Sequence, residues 1–230
     1  MAKPKPDVAE HRKRILDAAL SLIHHQGFDA LTMKSLASES EMAVGKLYRF
    51  FTSKDAIFLE VEILFFQRLL ALLDEIEDRL PKDPVSRLQQ IVVAFFHYAN
   101  QNIELYRLVS HPPKVYGDYL GTEHETLAAR ELDCALRVLN RLRQHLLAAL
   151  PRQQAEVDIS EAHLQTRFLF LLNSLHGLLL NIHSRILPYV ALSPNELSQS
   201  RYEQPGPDSE STQLLIEKQL HLMVHSALGL

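Results

Sequence analysis

Apolar residues along the chain recur at helical spacing. No segment keeps a two-residue apolar–polar alternation, whereas Ile15, Ala19, Leu22 and Ile23 follow the i, i+4, i+7, i+8 steps of one buried helix face. Asp7 with Glu10 three residues on predicts the start of this helix, and Gly27 its end just past His25. Thr32 predicts the cap of a short second helix carrying Leu36 and Ala37, and a third helix spans roughly Ala43 to Phe50. Thr52 with Asp55 opens a fourth that keeps its period to about Leu80.

Helix signals continue beyond. Asp83-Pro84 places a cap before a proline at the first helical position, for a helix reaching about Asn100. Asn102 starts a short segment that His111-Pro112-Pro113 must end, because proline lacks the amide donor and clashes with the preceding turn. Thr122 with Glu125 forms a capping-box pattern opening a long helix to Leu150. Ser160 starts the next, through the apolar run Phe168 to Ile182 and on to about Leu187. Residues 188–208, rich in Pro, Ser, Gln and Asn, read as a long loop before a last helix from about Ser211 to Ala227. The expected fold is all-α with about nine helices: a three-helix domain over residues 1–52 and a helical body over 53–230.

Residues 32–51 read as a helix-turn-helix. Two short helices joined by a three-residue turn must cross steeply, so a small residue is needed at the crossing, and Ala37 supplies it. Leu36, Met42, Leu47 and Phe50 are spaced to fill the space between them. At about 100° per residue, Ala43, Val44, Phe50 and Phe51 fall on the side of Leu47 and are expected to face inward. Gly45 and Arg49 fall opposite, flanked by Lys46 and Tyr48. That outward face suits a major groove: Gly45 lets the backbone approach, Arg49 and Lys46 donate to base edges or phosphates, and Tyr48 bonds a phosphate oxygen. The same pattern also describes a merely solvated face. Thr52-Ser53-Lys54 adds to the case for DNA, because free amides at a helix start attract an anion and an early lysine is contrary to the usual acidic preference there.

Charge agrees with this placement. Residues 1–55 hold nine Lys/Arg against seven Asp/Glu, a mildly basic head, while the remaining 15 against 21 make an acidic body; together they give the net −4. The 47% apolar content excludes a disordered chain. The single Cys134 rules out an internal disulfide or a multi-cysteine zinc site. Met1 to Pro6 has no apolar stretch of the secretory kind, and the run Phe168–Ile182 is interrupted by polar residues and too short to span a bilayer. A cytoplasmic protein without membrane association is therefore expected.

The stretch from Arg12 to about Phe66 resembles the N-terminal domain of the TetR (tetracycline-repressor-like) transcriptional regulators. The resemblance lies in Ile15-Leu16-Asp17-Ala18-Ala19, Gly27-Phe28, Leu31-Thr32, Leu36-Ala37, Gly45-Lys46-Leu47-Tyr48 and Phe51-Thr52-Ser53-Lys54-Asp55. It implies an all-helical homodimer on a palindromic DNA operator, with a variable C-terminal domain whose small-molecule ligand releases the DNA. It also implies that Thr32, Lys46, Tyr48, Arg49 and Lys54, with Gly45, form the DNA contact. Two positions depart from the family pattern. Glu41 stands in the turn where Gly is usual, at an expected cost of about 1 kcal/mol if its φ is positive. Ala43 stands where a capping Ser is common.

In the body, Ser174 and Gly177 allow close approach of another helix, and Leu214, Leu215, Leu220, Leu222 and Met223 give the last helix more apolar surface than a solvated one needs. A four-helix dimer interface from these two helices is the expectation, against ordinary internal core. Candidate ligand contacts are Phe96, Tyr119 and Phe168 as walls, with Asn173 and His176 as polar anchors on a stripe that continues to His183. Buried polar residues satisfied by neighbours are the favoured explanation of that stripe. His221 and His225 have metal-ligand spacing but no third ligand near, so no metal or cofactor is expected. No linear signature of a hydrolase, nucleotide-binding or metalloprotease site is present, and the chain is expected not to be an enzyme. A helical adaptor that binds protein without DNA is the competing class.

Overall fold

The computed structural model describes residues 8–150, 161–183 and 210–229, and every regular element among them is helical. Nine α-helices are found there: α1 Val8–Gln26, α2 Met33–Glu39, α3 Val44–Leu47, α4 Lys54–Glu77, α5 Pro84–Gln101, α6 Ile103–Ser110, α7 Glu125–Ala149, α8 Glu161–Ile182 and α9 Glu210–Leu228. Two 3₁₀ turns, Phe28–Ala30 and Tyr116–Tyr119, complete the set. The all-α expectation is met. Asp7, Ser160 and the stretch 188–208 lie outside the described residues.

Local chemistry explains most boundaries. α1 ends where the Gly27 amide donates back to the Ile23 carbonyl at 2.9 Å with Gly27 at φ 79, a conformation glycine adopts without cost. Thr32 caps α2: its hydroxyl accepts from the Ser35 amide at 3.0 Å, and Ser35 Oγ accepts in turn from the Thr32 amide at 2.9 Å. Asp83 caps α5 by accepting from the Ser86 amide and hydroxyl at 2.8 and 2.7 Å, and these bonds hold its carboxyl below the usual range. Two starts differ from the sequence expectation. The residue that caps α4 is Ser53, whose Oγ accepts from the Ala56 amide at 3.1 Å, while Thr52 is exposed one position earlier. α7 begins at Glu125, without a Thr122 capping box: the Glu125 carboxylate turns back to accept from the Gly121 amide at 2.8 Å.

The chain divides into two compact units. The first comprises Met1–Leu72 and Gln101–Leu139, the second Leu73–Asn100 and Asn140–Leu230. In the first, α1 packs on α2, on the turn Phe28–Ala30 and on α6, and α2 packs on α3. Its core includes Ile15, Ala19, Leu22, Ile23, Leu36 and Leu47, in keeping with the inward positions the helical spacing predicts, together with Leu31. In the second, α8 lies along α9, and Arg167 of α8 donates to the Ala227 carbonyl at 2.8 Å, satisfying one of the last acceptors of α9. Glu77 gathers Arg87, Arg141 and His145. Burial works to raise the Glu77 carboxyl, but the Arg87 hydrogen bond and the surrounding positive charge hold it low. Burial keeps His145 below the ordinary imidazole range despite that carboxylate. Among the described residues no helix is long and apolar enough to cross a membrane.

Candidate nucleic-acid interface

The helix pair at residues 32–51 takes the expected shape. Ala37 is buried at the crossing, and Leu36, Met42 and Leu47 fill the space beneath it. Glu41 in the connecting turn has φ 53, the only non-glycine residue in the left-handed region among those described. A Cβ there clashes with its own backbone. The Glu41 carboxylate accepts from Arg14 at 2.6 Å, so the acid is partly neutralised.

α3 is a single turn. After Tyr48 the amides of Arg49 and Phe50 bond three residues back, to Lys46 and Leu47, before the Phe51 amide returns to an i−4 partner. The tighter turn rotates side chains away from the 100° wheel, and Ala43 precedes the helix as its extended cap. Two expectations change accordingly. Ala43 and Val44 are exposed, not inward, and Phe50 is half-buried, its ring stacked on His11 with centroids 5.1 Å apart. Leu47 and Phe51 remain the anchors, 0% and 2% exposed.

Gly45, Lys46, Tyr48 and Arg49 are all exposed, as is Thr32 at the start of α2. A Cβ built on Gly45 meets nothing within 4 Å, so the backbone there is open to approach. Lys46 Nζ lies 2.9 Å from His11 Nε2, which holds the ammonium over the same face. Lys54, half-buried in the first turn of α4, sits 4.7 Å from the centroid of Phe58 one turn along. These side chains place positive charge and donors on an exposed short helix and in the first turn of α4.

Three supporting contacts are not legible in the sequence. Arg12 of α1 donates to the Phe50 carbonyl at 2.6 Å and to Glu60 of α4 at 2.7 Å, with its guanidinium 4.3 Å from the centroid of Phe51. It braces the tight turn that follows α3 against α1 and α4. Ser53 Oγ, the α4 cap, lies 2.8 Å from Nε2 of His124 just before α7. Asp55 of α4 pairs with Lys114 at 2.5 Å. The only signal the sequence carries for these is a helix start that needs partners.

The candidate ligand residues fall in both units. Tyr119 is buried in the first unit; Phe96, Phe168, Asn173 and His176 belong to the second. Within α8, the buried face is Leu164, Leu171, Leu175, Leu178, Leu179 and Ile182. Asn173 and His183 are exposed and His176 half-buried, so the polar stripe is not sealed in the core. A Cβ on Gly177 meets nothing within 4 Å. Exposed apolar side chains cluster on the same two helices: Leu169 and Phe170 on α8, Leu214 and Leu222 on α9. His221 and His225 are ring neighbours 4.1 Å apart, and no group of three potential metal ligands occurs among the described residues.

Residues 15–61 match the family model for bacterial regulatory proteins, tetR family. The chain is 37% identical over 84 residues to the HTH-type transcriptional repressor KstR of Rhodococcus jostii, covering 36% of this chain and 38% of that one. It is 31% identical over 91 residues to the HTH-type transcriptional regulator AcrR of Shigella flexneri, covering 40% and 42%. The chain thus spans about two fifths of the length of these relatives. Its fold is similar to that of a TetR-like transcriptional regulator from Rhodococcus sp. RHA1, with TM-score 0.56 at 14% identity over 99% of both chains.

Proposed function

We propose that this chain, which belongs to the tetR family of bacterial regulatory proteins, is a DNA-binding transcriptional regulator acting in the cytoplasm as a repressor that a small molecule releases. The carrying observation is the exposed face of Gly45, Lys46, Tyr48 and Arg49 around the buried anchor Leu47. One turn of helix presents its backbone at Gly45 and its donors on either side, while Thr32 and Lys54 sit at two helix starts suited to phosphate. Functionally we divide the chain into a reading head, 1–52, and a body, 53–230. The likeness to relatives named as repressors supports the sign of the regulation.

A palindromic operator requires two heads. The exposed apolar side chains Leu169, Phe170, Leu214 and Leu222, with open space at Gly177, support α8 and α9 as the face that pairs with a second copy. Regulation, not catalysis, is the role this assembly serves. The small molecule acts by binding better to the state whose heads no longer match the operator.

The test is retention of DNA from upstream of the protein's own gene, across a salt series. Binding should weaken steeply with salt as counterions are released. Tyr48→Ala and Lys54→Ala should each cost on the order of 1 kcal/mol of affinity while leaving helicity and oligomeric state unchanged. Unaltered retention by both variants would refute the DNA-reading assignment and favour a protein-binding adaptor.

A further inference from the structure

In the first unit, Leu59 of α4, Ala128 of α7 and Tyr119 pack together, flanked by Tyr116 and Leu127. One helical turn beyond Leu59 and Ala128 stand Glu62 and Glu131, close enough to repel each other. Glu62 is 4% exposed, and it makes no hydrogen bond or ion pair with any described residue. Yet no side-chain oxygen among the described residues is both sealed from solvent and without a partner. The Glu62 carboxyl, though buried, therefore keeps a trace of solvent access. Around it, Asp55, Glu62, Asp118 and Glu131 all bear on the Tyr119 phenol, which burial and these charges push above its ordinary range. Burial raises Glu131 as well.

An unpartnered buried carboxyl is costly, and a second acid beside it adds to the cost. Nothing within the described fold offsets either. We propose that Glu62, Glu131 and the rings of Tyr116 and Tyr119 form a binding site for an organic cation bearing N–H donors, such as a primary or secondary amine. The ammonium donates to the two carboxylates, and the tyrosine faces supply the apolar and cation–π contact. Lys114, paired with Asp55 and 5.7 Å from the Tyr119 centroid, shows that a cation already favours one side of that ring. A metal ion fits less well, because no three-ligand group is present among the described residues. The proposal rests on the ligand-responsive reading above and makes the releasing molecule a base.

Burial holds Glu62 protonated up to about pH 8. An ammonium entering the site ionises it, and the proton passes to the buffer. The groups facing this site are Asp55, Asp118, Glu131, Tyr119, Lys114 and His124. The experiment is calorimetric titration of the full chain with 2-phenylethylamine and with the neutral isostere 2-phenylethanol, at about pH 6.5 in two buffers of different ionisation enthalpy. The amine should bind with release of about one proton, and the alcohol at least about tenfold more weakly. Glu62→Gln should weaken the amine by about tenfold or more and abolish proton release; Glu131→Gln should weaken it independently, should the first variant not fold. Equal binding of the alcohol, no amine binding at millimolar concentration, binding without proton release, or displacement of the amine by manganese chloride would each overturn the site. DNA retention by the same samples separates the two ideas. Amine binding that leaves DNA affinity unchanged refutes ligand control and upholds the site, whereas DNA binding with no amine binding refutes the site alone.

Discussion

Glu62 predicts an unusual dependence of stability on pH. Its carboxyl is raised from the ordinary 4.5 to about 8, first by burial and then by the charge of Glu131. The folded state therefore holds a proton that the unfolded chain loses above pH 4.5. Stability from this group is intact below pH 4.5, falls as pH rises through the window to about 8, and is level above it. Every tenfold difference in proton affinity between folded and unfolded chain corresponds to about 1.4 kcal/mol, so at pH 7 the limiting penalty is about 3 kcal/mol. Glu62→Gln keeps the shape of the protonated acid and carries no charge to desolvate. It should match the natural protein near pH 5 and exceed it by about 2–3 kcal/mol at pH 7.5, a rise of several degrees in Tm. Urea denaturation from pH 5 to 8.5, at one protein concentration, measures this directly. Parallel stability curves for the two proteins would show that Glu62 is ionised at no cost in the fold, and the reasoning from its burial would be wrong.

Three further outcomes follow from the geometry. Glu41→Gly should stabilise by about 0.5–1 kcal/mol, because relief of the positive φ exceeds the entropy glycine adds to the unfolded chain, whereas Glu41→Ala should not stabilise; equal Tm for the two variants would refute the strain. Arg12→Ala should destabilise by about 2–3 kcal/mol, through the lost bonds to Phe50 and Glu60 and the contact with Phe51, and should speed amide exchange in α3 first. Replacing Phe170 and Leu222 by Glu should turn the proposed dimer into a monomer on size exclusion with helicity retained; an unchanged elution volume would place the interface elsewhere.

The sequence is most readable where a single local interaction decides the outcome. Gly27, Thr32 and Asp83 mark real helix ends because each satisfies orphan amides or carbonyls with atoms a few residues away. The outward set Gly45, Lys46, Tyr48 and Arg49 is likewise visible, since one turn of helix from Leu47 fixes it. Reading fails where distant chain chooses between equivalent local options. Thr52 and Ser53 are equally able caps, and His124, 71 residues away, accompanies the one in use. A wheel that assumes a regular helix from Ala43 turns that residue inward, whereas Ala43 is the extended residue before α3. Glu60 and Glu62 look alike in sequence, yet one meets Arg12 and the other faces a second acid, a distinction made only by the neighbours of α4.

The brevity of α3 has a consequence for how the head works. A helix of four residues is far below the length that holds itself in water. Its form is lent by Leu47 sunk beneath it and by Arg12 holding the turn that follows it. The segment proposed to face the nucleotides thus has little rigidity of its own. Substitutions at Leu47 or Arg12, which present nothing to a base pair, would blur the choice among operator sequences before they abolish attachment to the duplex.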